Sequence, residues 1–191
     1  IFDSVFKLDI GRIGSSGVIV DIENKTYKTF AAGAAVNAGG GLVKLPIASG
    51  HGFLAGERVC IDGTVNYDGV FVINSVEDTY IIIPATYVAE TIPADAVVRV
   101  VIESDFVFTA QTNKVTLKAK TYLEQAHQKQ SVVFYTTGGN GVYFDGVTRE
   151  VNIRGIKAVA PNGAGFHLRN SAFVLCQYCS CVASISLYGF L

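Results

Sequence analysis

The fold is decided by residues 141–191, which read GVYFDGVTREVNIRGIKAVAPNGAGFHLRNSAFVLCQYCSCVASISLYGFL. This stretch nearly repeats itself with a 22-residue step. Gly141–Phe144 aligns with Gly163–Phe166, and Val151–Ile156 aligns with Phe173–Tyr178. Apolar residues and one glycine coincide between the two copies, so the repeat is carried by residues that would face a core.

A short, fixed step with apolar residues at alternating positions is typical of a β-solenoid, because each coil buries its inner side chains against the coils beside it. Helical repeats are longer, at roughly 33 residues or more, and carry i, i+3, i+4 apolar spacing. The sequence therefore predicts parallel coils in which Phe144 stacks on Phe166 and Ile153 stacks on Leu175. We expect the coil stack to cover 141–191 and to be incomplete.

Composition excludes several classes of protein. Hydrophobic residues make up 50% of the 191 residues, which predicts a folded chain of one or two domains. Charged residues make up 16% and the net charge is −1, so we expect no nucleic-acid partner. The longest apolar runs, Tyr80–Ile83 and Val97–Ile102, are too short to cross a bilayer, so we expect no membrane partner. A chain without methionine that begins at Ile1 suggests a processed or partial polypeptide.

Three of the four cysteines, Cys176, Cys179 and Cys181, lie within six residues of each other. They are the candidate metal ligands, although a tetrahedral zinc site requires four ligands and only His167 is near. The alternative is that they are small, polarisable residues packed along the coils. We favour packing and expect no metal and no other cofactor.

The N-terminal part, 1–41, is predicted to contain two or three strands followed by a connection. Val18, Val20 and Ile22 alternate with Ile19 and Asp21 as in a half-buried strand. The stretch from Ala31 to Gly41 consists almost entirely of small residues. It is interpreted as a flexible linker, with close backbone packing at a subunit contact as the alternative.

A second all-β unit is predicted over 42–103, where short β-rich runs follow each other at regular spacing and turn residues divide them. This spacing predicts a small barrel or sandwich. We expect a compact module in which four apolar side chains are mostly buried. They are Val59, Ile61, Phe71 and Ile82.

Two segments of this unit, His51–Glu57 and Gly63–Phe71, resemble a small β-barrel module of bacteriophage tail and fibre proteins. The resemblance covers roughly 50 residues. It implies that His51 closes a turn by bonding backbone and that Asp68 and Gly69 form a hairpin turn. Tyr67 is expected to cap the barrel with its ring while its hydroxyl reaches water.

Residues 104–140 are predicted to connect this module to the coils through further strands, with one short helix at most, over Thr121–Gln130. The C-terminal motifs Gly141–Val147 and Val151–Ile156 resemble the right-handed parallel β-helix of pectate-lyase-like proteins, a fold used in phage tailspikes. The expected fold class is therefore all-β, with N-terminal β modules that include a small barrel or sandwich, then the first coils of a right-handed parallel β-helix.

Polysaccharide cleavage needs two carboxyl groups roughly 5 to 9.5 Å apart. If Phe144 and Phe166 point inward, Asp145 and His167 point outward on adjacent coils and could touch. The only other acid in the coils is Glu150, which leaves Asp145 with Glu150 as the candidate carboxylate pair. The competing interpretation is a solvated polar ladder, and we expect no catalytic residue among these three.

Two functions remain open on the sequence. The first is a structural virion protein of a phage, a tail fibre or spike component that attaches to the particle and projects toward the host. The second is a β-helical depolymerase that acts on host surface polysaccharide. The resemblance to tailspikes implies a homotrimer in the virion, with other virion proteins as partners and host polysaccharide as a candidate ligand. The high apolar content also predicts contacts with other chains.

Overall fold

The chain is all-β in the computed structural model, which describes residues 6–10, 18–24, 27–103, 106–109, 115–119, 132–137, 142–145, 150–169 and 174–183. No helix occurs among these residues, so none of them forms a helix that could cross a membrane. The predicted short helix over Thr121–Gln130 lies outside the described residues. The strands in chain order are β1 Phe6–Ile10, β2 Val18–Asn24, β3 Tyr27–Thr29, β4 Gly33–Ala34, β5 Val36–Gly39, β6 Leu42–Pro46, β7 Arg58–Asp62, β8 Gly69–Val72, β9 Ser75–Glu77, β10 Tyr80–Pro84, β11 Thr91–Ile92, β12 Val97–Val100, β13 Phe106–Thr109, β14 Val115–Ala119, β15 Val132–Tyr135, β16 Val142–Asp145, β17 Val151–Arg154, β18 Ile156–Ala160, β19 Phe166–Arg169, β20 Val174–Gln177 and β21 Ser180–Ala183.

The chain divides into two compact units. One, which we call the inserted module, is Thr26–Val101, and the other, which we call the parallel-sheet unit, combines Ile1–Lys25 with Ile102–Leu191. The module was expected over 42–103, so its end is close to the prediction whereas its start is earlier. The strands of the expected N-terminal segment 1–41 are divided between the two units, and those of the expected connecting segment 104–140 belong to the parallel-sheet unit.

The inserted module is built from antiparallel pairs. Two four-stranded sheets have the orders β5-β6-β10-β9 and β3-β12-β7-β8, and β4 pairs with β11. Of the four side chains predicted to be mostly buried, Val59, Ile61 and Ile82 are buried and Phe71 is partly exposed. The core is filled mainly by branched aliphatic side chains, which suit a pleated, buried surface. Fully buried examples are Val43, Leu45, Val59, Ile61, Ile81, Ile83, Ile92 and Val98.

The small-residue stretch from Ala31 to Gly41 is part of this module, so its interpretation as a flexible linker is wrong. β4 pairs with β11, and β5 pairs with β6 through an irregular register between Asn37 and Gly39. Small side chains permit these close, short pairings, whereas composition alone suggested a chain without regular structure. The stretch therefore forms sheet edges rather than a spacer.

The parallel-sheet unit contains three parallel sheets that are visited in a fixed order. Sheet 1 has the order β13-β16-β19, sheet 2 has β1-β2-β14-β17-β20, and sheet 3 has β15-β18-β21. All pairs in this unit are parallel except β1 with β2. Three successive strands therefore occupy the three sheets before the order repeats. We call each such set a rung: β13 to β15, β16 to β18, and β19 to β21.

Side chains that share a position in successive rungs form columns. Leu117, Ile153 and Cys176 form one column in sheet 2, and Val142 lies opposite Phe166 in sheet 1. Leu117, Ile153, Val142 and Phe166 are fully buried, whereas Cys176 is partly exposed. Fully buried inward side chains are Leu117, Val132, Val142, Val151, Ile153, Ile156, Ala158 and Phe166.

Parallel pairing between successive repeats is confirmed, but the predicted 22-residue register is wrong. Phe144 lies opposite Leu168, and Ile153 lies opposite Cys176. The step is 24 residues from β16 to β19 and 23 residues from β17 to β20. Leu175, the predicted partner of Ile153, faces the other side of its strand and is 47% exposed. The sequence alignment held the step constant, whereas the corners between sheets differ in length.

Candidate functional site

Asp145 and His167, the predicted cross-rung pair, do not face each other. Asp145 lies opposite Arg169, and His167 lies opposite Tyr143. The 24-residue step displaces His167 by two positions from the place that the 22-residue register gave it. The side chain of Asp145 lies outside the described part of the structure, so the candidate pair of Asp145 with Glu150 remains a prediction.

Glu150 has a structural partner at the start of the second rung. Its Oε1 accepts a hydrogen bond of 2.9 Å from Nδ2 of Asn152. Asn152 lies between the inward-facing Val151 and Ile153, so its side chain lies on the outer face, where it is only 7% exposed. Its Oδ1 is buried and has no hydrogen-bond partner among the described residues. Glu150 thus positions an amide on the outer face of sheet 2.

The three clustered cysteines do not converge on one point. Cys176 is in the inward column with Ile153, whereas Cys181 lies opposite Ala158 in sheet 3. Cys179 lies in the corner between these sheets, and its thiol donates to the carbonyls of Ile153 and Gln177, both 3.3 Å away. All three are free thiols. Among the described residues, no group of three or more His, Cys, Asp and Glu side chains is arranged to hold a metal ion.

The two neighbouring thiols differ in acidity. The hydrogen bond from Cys176, followed by backbone N–H groups of Ile156, Gln177 and Gly155, lowers the pKa of Cys179 against the opposing effect of burial. The pKa of Cys176 is raised, because its proton is held in the same hydrogen bond, and burial adds to the effect. Burial also raises the pKa of Cys181. Cys179 is therefore the thiol of the three that ionises most readily.

The corner that carries Cys179 has the same backbone form in two successive rungs. Gly155 follows β17 with φ 66°, and Tyr178 follows β20 with φ 55°. The N–H of Gly155 donates to the carbonyl of Gln177 at 3.0 Å, which joins the two corners. Positive φ is available to glycine at little cost but strains a tyrosine. Tyr178 is the only non-glycine residue with positive φ among the described residues.

A buried polar row crosses the inserted module, and the sequence analysis missed it. Arg99 in β12 lies opposite Tyr27 on one side and Cys60 on the other. Its guanidinium is fully buried and forms an ion pair with Asp62. Nε and Nη1 of Arg99 and the Tyr27 hydroxyl have no hydrogen-bond partner among the described residues. Burial raises the pKa of Tyr27, and the charge of Arg99 opposes that shift. An arginine inside the apolar run Val97–Ile102 was the available signal.

The carboxylates of Glu90 and Asp68 accept hydrogen bonds from the loop between β7 and β8. Glu90 accepts hydrogen bonds from the backbone N–H groups of Val65 at 2.6 Å and Asn66 at 2.9 Å. Asp68 accepts from the N–H and hydroxyl of Thr64 at 2.7 and 2.8 Å. These bonds satisfy loop donors that no strand pairs. These hydrogen bonds leave the side chain of Val65, in the middle of the loop, 83% exposed.

Tyr67 belongs to the same loop, and its predicted contact with water is wrong. The residue is fully buried, and its hydroxyl donates to the carbonyl of Val88 at 2.5 Å and accepts from the N–H of Val88 at 2.9 Å. A buried hydroxyl needs such partners, because leaving it unpaired would cost about 1–3 kcal/mol. Tyr67 therefore fastens two loops of the module together.

His51 is a turn residue that bonds backbone, as predicted. Its Nδ1 accepts from the N–H of Phe53 at 3.0 Å, which requires the proton of a neutral ring to sit on Nε2. Nε2 lies 3.0 Å from the carbonyl of Glu77 and donates to it. The ring also stacks on Phe53, with centroids 5.8 Å apart. Both ring nitrogens are used in holding the turn.

The described side chains thus give two kinds of arrangement: polar groups that fasten loops, and a thiol pair at a corner of the parallel-sheet unit. Comparison of the chain with protein-family models, with curated proteins and with solved structures finds no match.

Proposed function

We propose that the chain is a structural component of a bacteriophage virion, a tail fibre or spike protein that attaches to the particle and projects a shaft toward the host surface. The observation that supports this most strongly is the fixed order in which the chain visits three parallel sheets. In the proposed fold, the rungs are the first coils of a right-handed parallel β-helix. Such a stack grows by adding rungs, and each rung contacts only its neighbours.

The side chains of the rungs suit a load-bearing shaft. Inward side chains such as Ile153 in the second rung and Phe166 in the third are apolar and fully buried. On the outer face, Nε of Arg154 donates to Oε1 of Gln177 in the next rung, which adds a polar link parallel to the backbone ladder. Inward burial and outward polar links together resist sliding between rungs.

The inserted module supports the attachment part of the proposal through its resemblance to a phage tail and fibre module. His51 bonds backbone through both ring nitrogens, as the resemblance implied, whereas Gly69 begins β8 rather than forming a hairpin turn with Asp68. The loop that Glu90 binds presents the exposed side chain of Val65. A loop that is already fixed loses less conformational entropy on binding, which suits it to docking on another virion protein. The proposed partners are other virion proteins.

We further propose a homotrimer with its contact along the shaft. Val182 in β21 is 52% exposed, and the preceding Cys181 lies opposite the fully buried Ala158, so alternation directs Val182 outward. An exposed apolar residue on the outer face of a sheet is suited to a contact between chains. Light scattering on the purified chain should give three times the monomer mass.

The matched variants for this test are V182E and V65E, which place the same charge on the two units. V182E should lower the mass toward that of the monomer, and V65E should leave the trimer intact, because only the first charge would enter the contact. A wild-type chain that stays monomeric at every concentration would contradict the trimer.

The depolymerase alternative depends on Glu150 and Asp145. Oε1 of Glu150 accepts the amide of Asn152, which supports a positioning role for this acid. Incubation with bacterial surface polysaccharides, followed by measurement of new reducing ends and of unsaturated sugars, separates the alternatives. We expect no cleavage; cleavage that is lost in E150Q but kept in E77Q, an exposed acid of the inserted module, would favour the enzyme.

A further inference from the structure

Polar atoms that lack hydrogen-bond partners lie on one face of the sheet β3-β12-β7-β8. Arg99 in β12 is directly opposite Tyr27 in β3, and its guanidinium is fully buried. Nε and Nη1 of Arg99 and the buried hydroxyl of Tyr27 have no partner within the part of the chain that the structure describes. Side chains opposite each other on neighbouring strands point to the same face, with Cβ atoms about 4.5–5.5 Å apart. The unpartnered atoms of Arg99 and Tyr27 therefore belong to one site.

The contact with Asp62 uses only part of the guanidinium. Nη2 of Arg99 forms the ion pair with the carboxylate of Asp62, whose side chain is 26% exposed. An arginine side chain has several N–H donors and no acceptor, and Nε and Nη1 carry most of these donors. Buried donors that stay unpaired oppose folding, because they have lost their hydrogen bonds to water. The site therefore requires a hydrogen-bond acceptor beside Arg99.

The charge of the site decides which kind of acceptor fits. The Arg99 guanidinium and the Asp62 carboxylate already neutralise each other, so an added anion would bring an uncompensated negative charge into a buried place, which is costly. A water molecule adds no charge, accepts from the guanidinium, and can donate to the Tyr27 hydroxyl or accept from it. With hydrogen bonds of about 2.9 Å on each side, one water joins groups up to about 5.5 Å apart, which matches the spacing of opposite side chains.

We propose that Arg99 and Tyr27 bind one internal water molecule, which accepts from the Arg99 guanidinium and hydrogen-bonds the Tyr27 hydroxyl. The water completes a polar row that runs from Tyr27 in β3 through Arg99 in β12 to Asp62 in β7. β3 has only three residues and is an edge strand of its sheet. The row fastens this short edge strand to the strands beside it through side chains as well as through the backbone ladder.

The direct test is a high-resolution crystal structure of the wild-type chain, with one crystal soaked in bromide. Density for a water should lie about 2.7–3.2 Å from Nε or Nη1 of Arg99 and equally close to Oη of Tyr27. Any other arrangement would overturn the proposal, whether a direct hydrogen bond between the two side chains, a site without a bridging water, or an anomalous bromide peak that identifies an anion.

Thermal unfolding of Y27F is a second test, because the sign of its effect differs between the alternatives. If a water pairs with the hydroxyl, Y27F removes a satisfied group and deprives the water of a partner, so the midpoint should fall by about 2–4 °C. If the hydroxyl has no partner, its removal leaves the midpoint unchanged or raises it, and that result would overturn the proposal. Y87F makes the same change at a tyrosine that is 39% exposed, and this matched control should not shift the midpoint.

Discussion

The two units of this chain hold their irregular segments in different ways. In the inserted module, distant side chains fasten loops: Glu90 binds the loop at Val65, and Tyr67 binds the backbone of Val88. In the parallel-sheet unit, the corner at Gly155 is bonded to Gln177 at the corner of the next rung. Loops in the first unit are secured by particular side chains, whereas corners in the second are secured by their equivalents one rung away.

This difference indicates which substitutions should lower the stability of each unit. The inserted module should lose stability through single polar groups whose partners are left buried and unpaired. The parallel-sheet unit should lose stability through the inward columns and through contacts that fix the spacing between rungs. Hydrogen exchange read by mass spectrometry assigns each loss to one unit, because protection is measured peptide by peptide.

The largest expected effect is in an inward column of the parallel-sheet unit. I153A removes a fully buried side chain and should cost about 2–5 kcal/mol, with faster exchange across β14, β17 and β20. L175A, at the residue that the 22-residue register placed in the same column, should change stability by no more than about 0.5 kcal/mol. Equal losses in the two variants would contradict the observed register.

The next largest loss of stability is expected where Gly165 approaches Cys181 of β21 closely. A Cβ on Gly165 would lie 2.6 Å from Cβ of Cys181, and neither atom can rotate away. G165A should therefore cost about 1–3 kcal/mol in denaturant unfolding. C181G in the same chain removes the obstacle, so the double variant should be more stable than G165A alone. Additive losses would show that the two residues do not touch.

In the inserted module the expected effect is smaller and comes from a hydroxyl. Y67F removes both hydrogen bonds to Val88 while keeping the buried ring, which should cost about 1–2 kcal/mol. Y87F changes a tyrosine that is 39% exposed and should be nearly neutral in the same unfolding experiment. If hydrogen exchange increases in the parallel-sheet unit rather than near Tyr67, the Tyr67–Val88 hydrogen bonds do not stabilise the inserted module.

The smallest effect concerns the strained corner. Y178G should stabilise the chain by about 0.5–1 kcal/mol, because relief of positive φ exceeds the entropy that glycine adds to the unfolded state. G155A, at the equivalent corner one rung earlier, should destabilise by about 1 kcal/mol. Thermal unfolding of both variants checks the opposite signs. A loss of stability in Y178G would mean that packing of the Tyr178 ring outweighs its backbone strain.

Alternating apolar residues were enough to locate most strands and the all-β class. Val18–Ile22 lies within β2, and Leu42–Pro46 forms β6. Alternation predicts a strand because it suits a sheet with one face toward a core. The register could not be predicted in the same way. Tyr178 takes the positive φ of Gly155, and no glycine marks this corner in the sequence. Without that signal, the best alignment of apolar residues gave a step that is too short.

The burial of polar groups was the other feature of the fold that the sequence could not predict. Arg99 lies among valines in β12, and alternation alone directs it to a solvated face. Its burial depends on residues distant in sequence, such as Asp62 in β7, whose carboxylate pairs with it. Candidate residues named for their chemical type, such as Asp145 and His167, were likewise separated by a register that only the folded chain reveals.

The central claim is the parallel register of the rungs, and coupling through a hydrogen bond tests it directly. In deuterated protein, a long-range HNCO experiment should correlate the amide nitrogen of Val142 with the carbonyl carbon of Gly165, whose oxygen lies 2.9 Å from that nitrogen. A correlation of Val142 with Gly163 instead would restore the 22-residue register. A correlation of Val142 with a carbonyl of β17 would mean an antiparallel hairpin and would contradict the three parallel sheets.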